Sequence, residues 1–449
     1  MPPPERFERL VRSAQSEARL PSLSTAVFRR GELVWAEAVG LADVDAGHKA
    51  TPDTQYLIAS ITKTFVAASV MQLREAGALD LDDPLSRHLP EAAHGELPLR
   101  RLLAHVSGLQ RETPGEIWES LEFPDRDELL PRLADAELVL GPGERWHYSN
   151  LAYILLGEVV ARTAGVELAE YVERRLLEPA GLARTSWQPR DPVARPYFVE
   201  PYSDAVRPEP VVDQRGAGGA GGLWSTTEDL ARWGCFLADP DPEILSPASV
   251  EAMRSVQVMA APDWTRGYGL GLELFRRGEG LFAGHTGGMP GFLSFLAFSP
   301  KEKVGAVALA NSTTWPGLVD LGLDLVVAGI EELAEPEPWR PEAQPAQELA
   351  ELSGRWWSEG SEFVFSIRCG RLEANLASGK GEPAVFEPEA PDRFRTVSGR
   401  EHGELLRVVR DEAGVPVKLY WATYPFVRQP ETFGAQRSPE SRNQTTKAT

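Results

Sequence analysis

Two spacings of apolar residues run through the chain and divide it into elements. "ERFERLVRSAQSEARL" carries apolar positions at helical intervals and predicts an amphipathic first helix over residues 5–19. "SLSTAVFRRGELVWAEAVG" alternates instead and turns at Arg30-Gly31, which predicts a hairpin. From Ile58 to about Ala76 the spacing is helical again and stops at Gly77. "YSNLAYILLGEVVARTAG" repeats the arrangement, with a polar start, a periodic apolar face and a terminal Gly165. "SFLAFSPKEKVGAVALANS" predicts two strands around a tight turn. A hairpin, then helices, then strands again predicts an α+β fold, with an antiparallel sheet flanked by helices.

The pattern breaks near residue 331. "EELAEPEPWRPEAQPAQELAEL" has no apolar period and predicts a linker, placed at 333–352 between a first domain of residues 1–332 and a second of 353–432. The second domain consists of short alternating runs such as "GRWWSEGSEFVFSIRCGRLEANL", separated by Gly, Pro and Asp, which predict a small all-β barrel. Residues 433–449 are polar and are expected to be disordered.

Composition narrows the function classes. A net charge of −20 over 449 residues disfavours nucleic acid and anionic membrane as partners, because both need clustered Lys and Arg. The first twenty residues lack an apolar signal core, and no run of apolar residues is long enough for a membrane helix. Cys235 and Cys369 lie far apart without metal-ligand spacing, and two buried thiols in a reducing compartment are expected. A cytoplasmic location follows as the expectation.

Three short motifs carry chemistry. Ser60 and Lys63 stand three apart at a helix start, where i and i+3 share a face. A serine there offers a nucleophile and an amide free for an oxyanion, and burial would turn the lysine into its base. An N-capping serine beside a solvated lysine is the competing reading. Lysine is scarce, however, and only Lys63 has a serine three residues before it. Tyr148-Ser149-Asn150 is the chain's only Tyr-x-Asn; Tyr148 would serve as base or proton relay and Asn150 would orient Lys63 or a substrate carbonyl. Alone, it better fits a half-buried aromatic at Tyr148 and a helix cap at Asn150. In "GHTGGMPGF", His285, Thr286 and Gly287 precede a strand, with Gly288 and Gly291 admitting close approach to the backbone. His285 would donate a hydrogen bond to substrate or shuttle a proton near neutral pH. "RGAGGAGGLWST" lacks the Lys-Ser/Thr of a phosphate loop and is read as a wall of the site. Trp146 and Trp224 fit either pocket lining or core, and His105 and Ser107 fit a structural turn.

In this order the motifs resemble the serine β-lactamase and penicillin-binding-protein superfamily, in its class C-type branch with esterases and D-aminopeptidases. The resemblance spans about residues 5–330. It implies a fold with an added all-helical subdomain and a cofactor-free serine hydrolase acting on a small-molecule ester, amide or D-amino-acid peptide. Ser60 would be the acylated nucleophile, Lys63 its base, and Tyr148 the relay that protonates the leaving group and later activates water. Asn150 would bind Lys63 and substrate, and the Ser60 and Gly288 amides would form the oxyanion hole. True β-lactamases usually carry lysine where His285 stands, so ester or D-amino-acid amide cleavage is favoured over penicillin hydrolysis. A weak β-lactamase, a penicillin-binding protein and a non-catalytic scaffold or filament remain alternatives. Residues 353–430 resemble the lipocalin-like barrel appended to some members, which leaves homo-oligomerisation open.

Overall fold

The computed structural model describes residues 5–313, 315, 317–333, 341, 344–379 and 381–430. The chain divides into two compact units, Met1–Glu335 and Pro336–Thr449. The stretch 433–449 expected to be disordered, and most of the first ten positions of the expected linker, lie outside the described residues. A short helix, Gln347–Ala350, occupies part of the stretch read as linker.

The first unit is built on an antiparallel sheet. Its strands are β1 (Ser22–Arg29), β2 (Glu32–Asp43), β3 (His48–Lys49), β4 (Val258–Met259), β5 (Arg266–Tyr268), β6 (Glu273–Arg277), β7 (Gly280–Met289), β8 (Phe292–Ser299) and β9 (Val304–Ala310). They lie in the order β3-β2-β1-β9-β8-β7-β6-β5-β4. The N-terminal hairpin therefore pairs with the last strand of the unit, joining residues some 280 positions apart, Leu23 opposite Ala310 among them. No local signal specifies that pairing. Both β1 and β9 are buried along nearly their whole length, which fits their central place in a sheet covered on both faces.

Alternation sorts the side chains between two cores. Phe295 and Ala297 of β8, with Ala306, Ala308 and Ala310 of β9, pack on one face with helices α1 (Glu5–Glu17) and α5 (Leu318–Glu332). Leu296 and Phe298, with Val307 and Leu309, join the larger core on the other face. That core is filled by α2 (Thr62–Glu75), α3 (Asn150–Ala164) and α4 (Thr227–Ala238). α2 is buried from Thr62 through Leu73 and runs through the middle of this layer. α3 starts at a Ser149 cap, whose hydroxyl accepts from the Ala152 amide at 3.1 Å, and stops at Gly165 with φ +71°. Helices collect on this side, in keeping with the subdomain that the family resemblance implies.

The second unit is a closed antiparallel barrel of eight strands, from Gly354–Ser358 to Tyr424–Val427, closed by pairing of Trp357 with Val427. Trp356, Phe365, Phe386, Leu406, Leu419 and Phe426 fill its interior. Both cysteines are free; Cys235 is buried, but Cys369 is exposed. The expectation of two buried thiols fails at Cys369, which sits with φ +50° in a hairpin turn between barrel strands, where neither face is covered. Among the described residues no helix is long and apolar enough to cross a membrane.

Candidate active site

A cleft of about 570 Å³ opens on the helical face of the sheet, and Ser60, Tyr148, Asn150, Thr286, Gly287 and Gly288 all line it. Ser60 sits in a single 3₁₀ turn, Ala59–Ile61, that leads into α2. Ala59 takes φ +47°, an unfavourable conformation for a residue with a Cβ, and thereby turns the chain sharply before Ser60. The turn is tied to the sheet by the Ser294 hydroxyl, which donates to the Ile58 carbonyl at 2.7 Å. Gly287 on β7 abuts the same place: a Cβ there would stand 2.3 Å from the Ile58 oxygen and 3.0 Å from the Ser60 nitrogen. Only glycine lets the strand lie this close to the Ser60 amide.

Lys63, the second residue of α2 and one turn beyond Ser60, is fully buried. Its Nζ donates to Asn150 Oδ1 at 2.8 Å and to the Ala220 carbonyl at 2.5 Å, and it lies 3.1 Å from Ser60 Oγ. Burial pushes its pKa down to about 7, against the opposing pull of Glu112. A neutral amine keeps two hydrogens and one lone pair. With both hydrogens taken by carbonyl oxygens, the lone pair is left for the serine hydroxyl.

Tyr148 lies just ahead of the Ser149 cap and lines the cleft together with Ser60. The ring is flanked by two basic side chains and another ring: Lys63 Nζ is 5.0 Å and Arg111 Cζ 5.1 Å from its centroid, and the His105 ring is 4.3 Å away. Burial nevertheless pushes the phenol above its ordinary value, so it is a protonated hydroxyl at neutral pH. The expectation that neighbouring positive charge would favour phenolate is overridden by desolvation. His105 acts as a brace. It is fully buried, its Nδ1 accepts from the Ser149 amide at 3.1 Å, and its carbonyl accepts from the His147 amide at 2.8 Å.

His285 is placed differently from its expected role. It is buried within β7, and both of its ring nitrogens are occupied by the protein. Nδ1 lies 2.5 Å from the Thr286 carbonyl, which can only accept, so that nitrogen carries the hydrogen. Nε2 then accepts from the Tyr268 hydroxyl at 2.9 Å. Burial pushes the imidazole down to about 4. No ring hydrogen is left for a substrate, and the group does not titrate near neutrality. Trp224 likewise packs in the core against Phe292, whereas Trp146 lines the cleft.

Several cleft residues were not legible in the sequence: Arg111, Glu112, Gln214, Arg266 and Glu273. Glu112 accepts from Asn150 Nδ2 at 2.7 Å, and Glu273 accepts from Thr286 Oγ1 at 3.0 Å and from Arg266 at 2.8 Å. The run "RGAGGAGG" forms a 3₁₀ wall, Arg215–Ala220, whose Ala220 supplies the acceptor to Lys63.

Comparisons with known proteins place each of the two units. Residues 7–328 match the family model described as Beta-lactamase, and residues 345–428 match Domain of unknown function (DUF7586). Esterase EstB of Burkholderia gladioli is 38% identical over 224 residues, which cover 46% of this chain and 56% of that protein. The chain thus spans little more than half of the esterase's length. The octameric penicillin-binding protein homologue from Pyrococcus abyssi superposes with a TM-score of 0.65 at 23% identity, over 94% of this chain and 99% of that one. The D-amino acid amidase from Ochrobactrum anthropi SV3 gives 0.64 at 23% identity, over 73% and 99%. At these identities the structural likeness is one of fold.

Proposed function

The chain belongs to the beta-lactamase family, and we propose that it is a serine hydrolase that cleaves a small ester or amide through an acyl-Ser60 intermediate. One observation carries the reading: a buried lysine, pushed down to about 7, has its lone pair free for a serine hydroxyl 3.1 Å away. Relatives named as an esterase and a D-amino acid amidase support the ester and amide substrate class.

The steps follow from the groups present. Neutral Lys63 takes the hydroxyl proton as Ser60 Oγ bonds to the substrate carbonyl carbon, whose π electrons move onto its oxygen. The Ser60 amide faces that oxyanion, and the Gly288 amide on β7 is the proposed second donor. When the oxyanion collapses, the bond to the leaving alcohol or amine breaks. Tyr148, still protonated and facing the same cleft as Ser60, gives its proton to the departing atom and is recharged from Lys63. Water then enters the leaving group's place, loses a proton to the same relay and attacks the acyl carbon; as the tetrahedral adduct collapses, the bond to Ser60 Oγ breaks and the relay returns that proton to the serine oxygen. Asn150 keeps Lys63 aimed throughout.

Ser60→Ala tests the reading with p-nitrophenyl acetate as substrate and a fluorophosphonate as covalent label. Turnover and the mass increment should both vanish while the circular dichroism spectrum is unchanged. Retained turnover in that variant overturns the assignment.

A further inference from the structure

Thr286 lines the cleft, yet its hydroxyl hydrogen is already committed. Oγ1 lies 3.0 Å from Glu273 Oε1, and the other carboxylate oxygen accepts from Arg266 at 2.8 Å. Glu273 is almost wholly buried, with its side chain 7% exposed, and β6 holds it opposite Gly284 of β7. An ionised carboxylate only accepts, so the single hydrogen of Thr286 must point at Glu273 and away from the cleft. What Thr286 shows a substrate is lone pairs.

Resting on the serine hydrolase reading, we infer that Glu273 sets substrate choice by turning Thr286 into a hydrogen-bond acceptor. The cleft then takes an ester or amide whose facing group is a donor, an ammonium, amine or amide N–H, and rejects one that presents a carboxylate. A facing carboxylate would meet the Thr286 lone pairs with the buried Glu273 charge directly behind them. A donor completes a chain running from substrate to Thr286 to Glu273 to Arg266.

The same geometry says how to reverse the preference. In Glu273→Gln the guanidinium of Arg266, which has only hydrogens to offer, selects the amide oxygen. The amide NH₂ is then left facing Thr286, where it donates to Oγ1. The threonine hydrogen is released and turns into the cleft, so the hydroxyl becomes a donor.

Inhibition by 3-(aminomethyl)phenylboronic acid and 3-carboxyphenylboronic acid, read against p-nitrophenyl acetate hydrolysis, tests this in the full-length chain. The wild type should bind the amine at least tenfold more tightly than the carboxylate, and Glu273→Gln should shrink that ratio at least tenfold. Thr286→Val keeps shape and the Glu273 charge but removes the hydroxyl, and it should also shrink the ratio. A ratio unaltered in either variant, with both boronates still forming an adduct on Ser60 by mass spectrometry, overturns the inference and leaves the nucleophile standing. Absence of an adduct from either boronate on wild-type Ser60 overturns the nucleophile assignment, and this inference with it.

Discussion

Glu112 accepts a hydrogen bond from the Asn150 amide nitrogen at 2.7 Å, while the amide oxygen of the same residue accepts from Lys63 at 2.8 Å. The pair decides which way Asn150 points. A carboxylate on one side and an amine donor on the other leave a single orientation in which neither contact sets donor against donor or acceptor against acceptor.

Separating charge from hydrogen bonding at this position gives the first prediction. Glu112 holds Lys63 higher than burial alone would, so removing its charge should lower the lysine further. Glu112→Gln still accepts from Asn150, and its acidic limb in kcat/KM should move to lower pH with little loss at the plateau. Glu112→Ala also frees the amide to rotate, and kcat should fall by about ten- to a hundredfold, the cost of one buried hydrogen bond. Unchanged pH profiles in both variants would sever Glu112 from the lysine.

A second prediction concerns stability. Lys63 has an ordinary value of 10.5 and about 7 in the folded chain, so the unfolded chain binds more protons between those values. Stability therefore rises with pH across that window. The penalty is complete below pH 7, roughly 5 kcal/mol by linkage, and fades as pH approaches 10.5. Lys63→Met should abolish turnover, and its melting temperature relative to wild type should be more favourable at pH 6 than at pH 9.5. A difference independent of pH would mean the lysine is not held neutral by burial.

Legibility in the sequence divided along one physical line. Ser60 with Lys63, and Tyr148 with Asn150, are pairs whose relation is set by local spacing on one helix or at one helix start, so the sequence exposed them. The two strands of "SFLAFSPKEKVGAVALANS" were similarly readable, because two short apolar runs flank a tight polar turn. Glu112 and Glu273 could not be found that way. Each is a single acidic residue with no neighbouring pattern, and each gains its meaning from a partner 38 or 13 positions away, Asn150 and Thr286. His285 misled for a related reason. The residue type suits catalysis at neutral pH, but its alternate position on β7 turns it toward Tyr268, whereas its neighbour Thr286 lines the cleft.

That placement yields a third prediction. With its imidazole pushed down to about 4 from an ordinary 6.5, His285 is neutral in the fold, and the unfolded chain binds more protons between pH 4 and 6.5. Its contribution is therefore lost stability as pH falls through that window, with no inflection in catalysis. His285→Asn should lower the melting temperature at pH 7, through the lost bond to Tyr268, by the equivalent of about 1–3 kcal/mol. The acidic limb of kcat/KM should stay near pH 7, where Lys63 places it. Movement or loss of that limb in the variant would restore His285 as a proton carrier.

The neighbouring glycines of β7 make opposite predictions from one added methyl group. At Gly287 a Cβ would stand 2.3 Å from both the Ile58 oxygen and the Ser294 hydroxyl and 3.0 Å from the Ser60 nitrogen. Two of those atoms are backbone of the turn that carries the nucleophile, so they cannot swing aside as a flexible side chain would. Gly287→Ala must push β7 away from Ser60, and so part the two amides proposed to receive the oxyanion. Loss of one such donor costs about 2.7–4 kcal/mol, so kcat should fall by about a hundred- to a thousandfold with KM changed far less. At Gly288 a Cβ would meet only the Leu293 side chain, at 3.6 Å, an ordinary contact. Gly288→Ala should therefore keep kcat within a few-fold, since its amide stays where the strand places it. Steady-state kinetics of the two variants on one ester measure the contrast directly. Equal losses at the two positions would show that β7 does not place an amide against the developing charge.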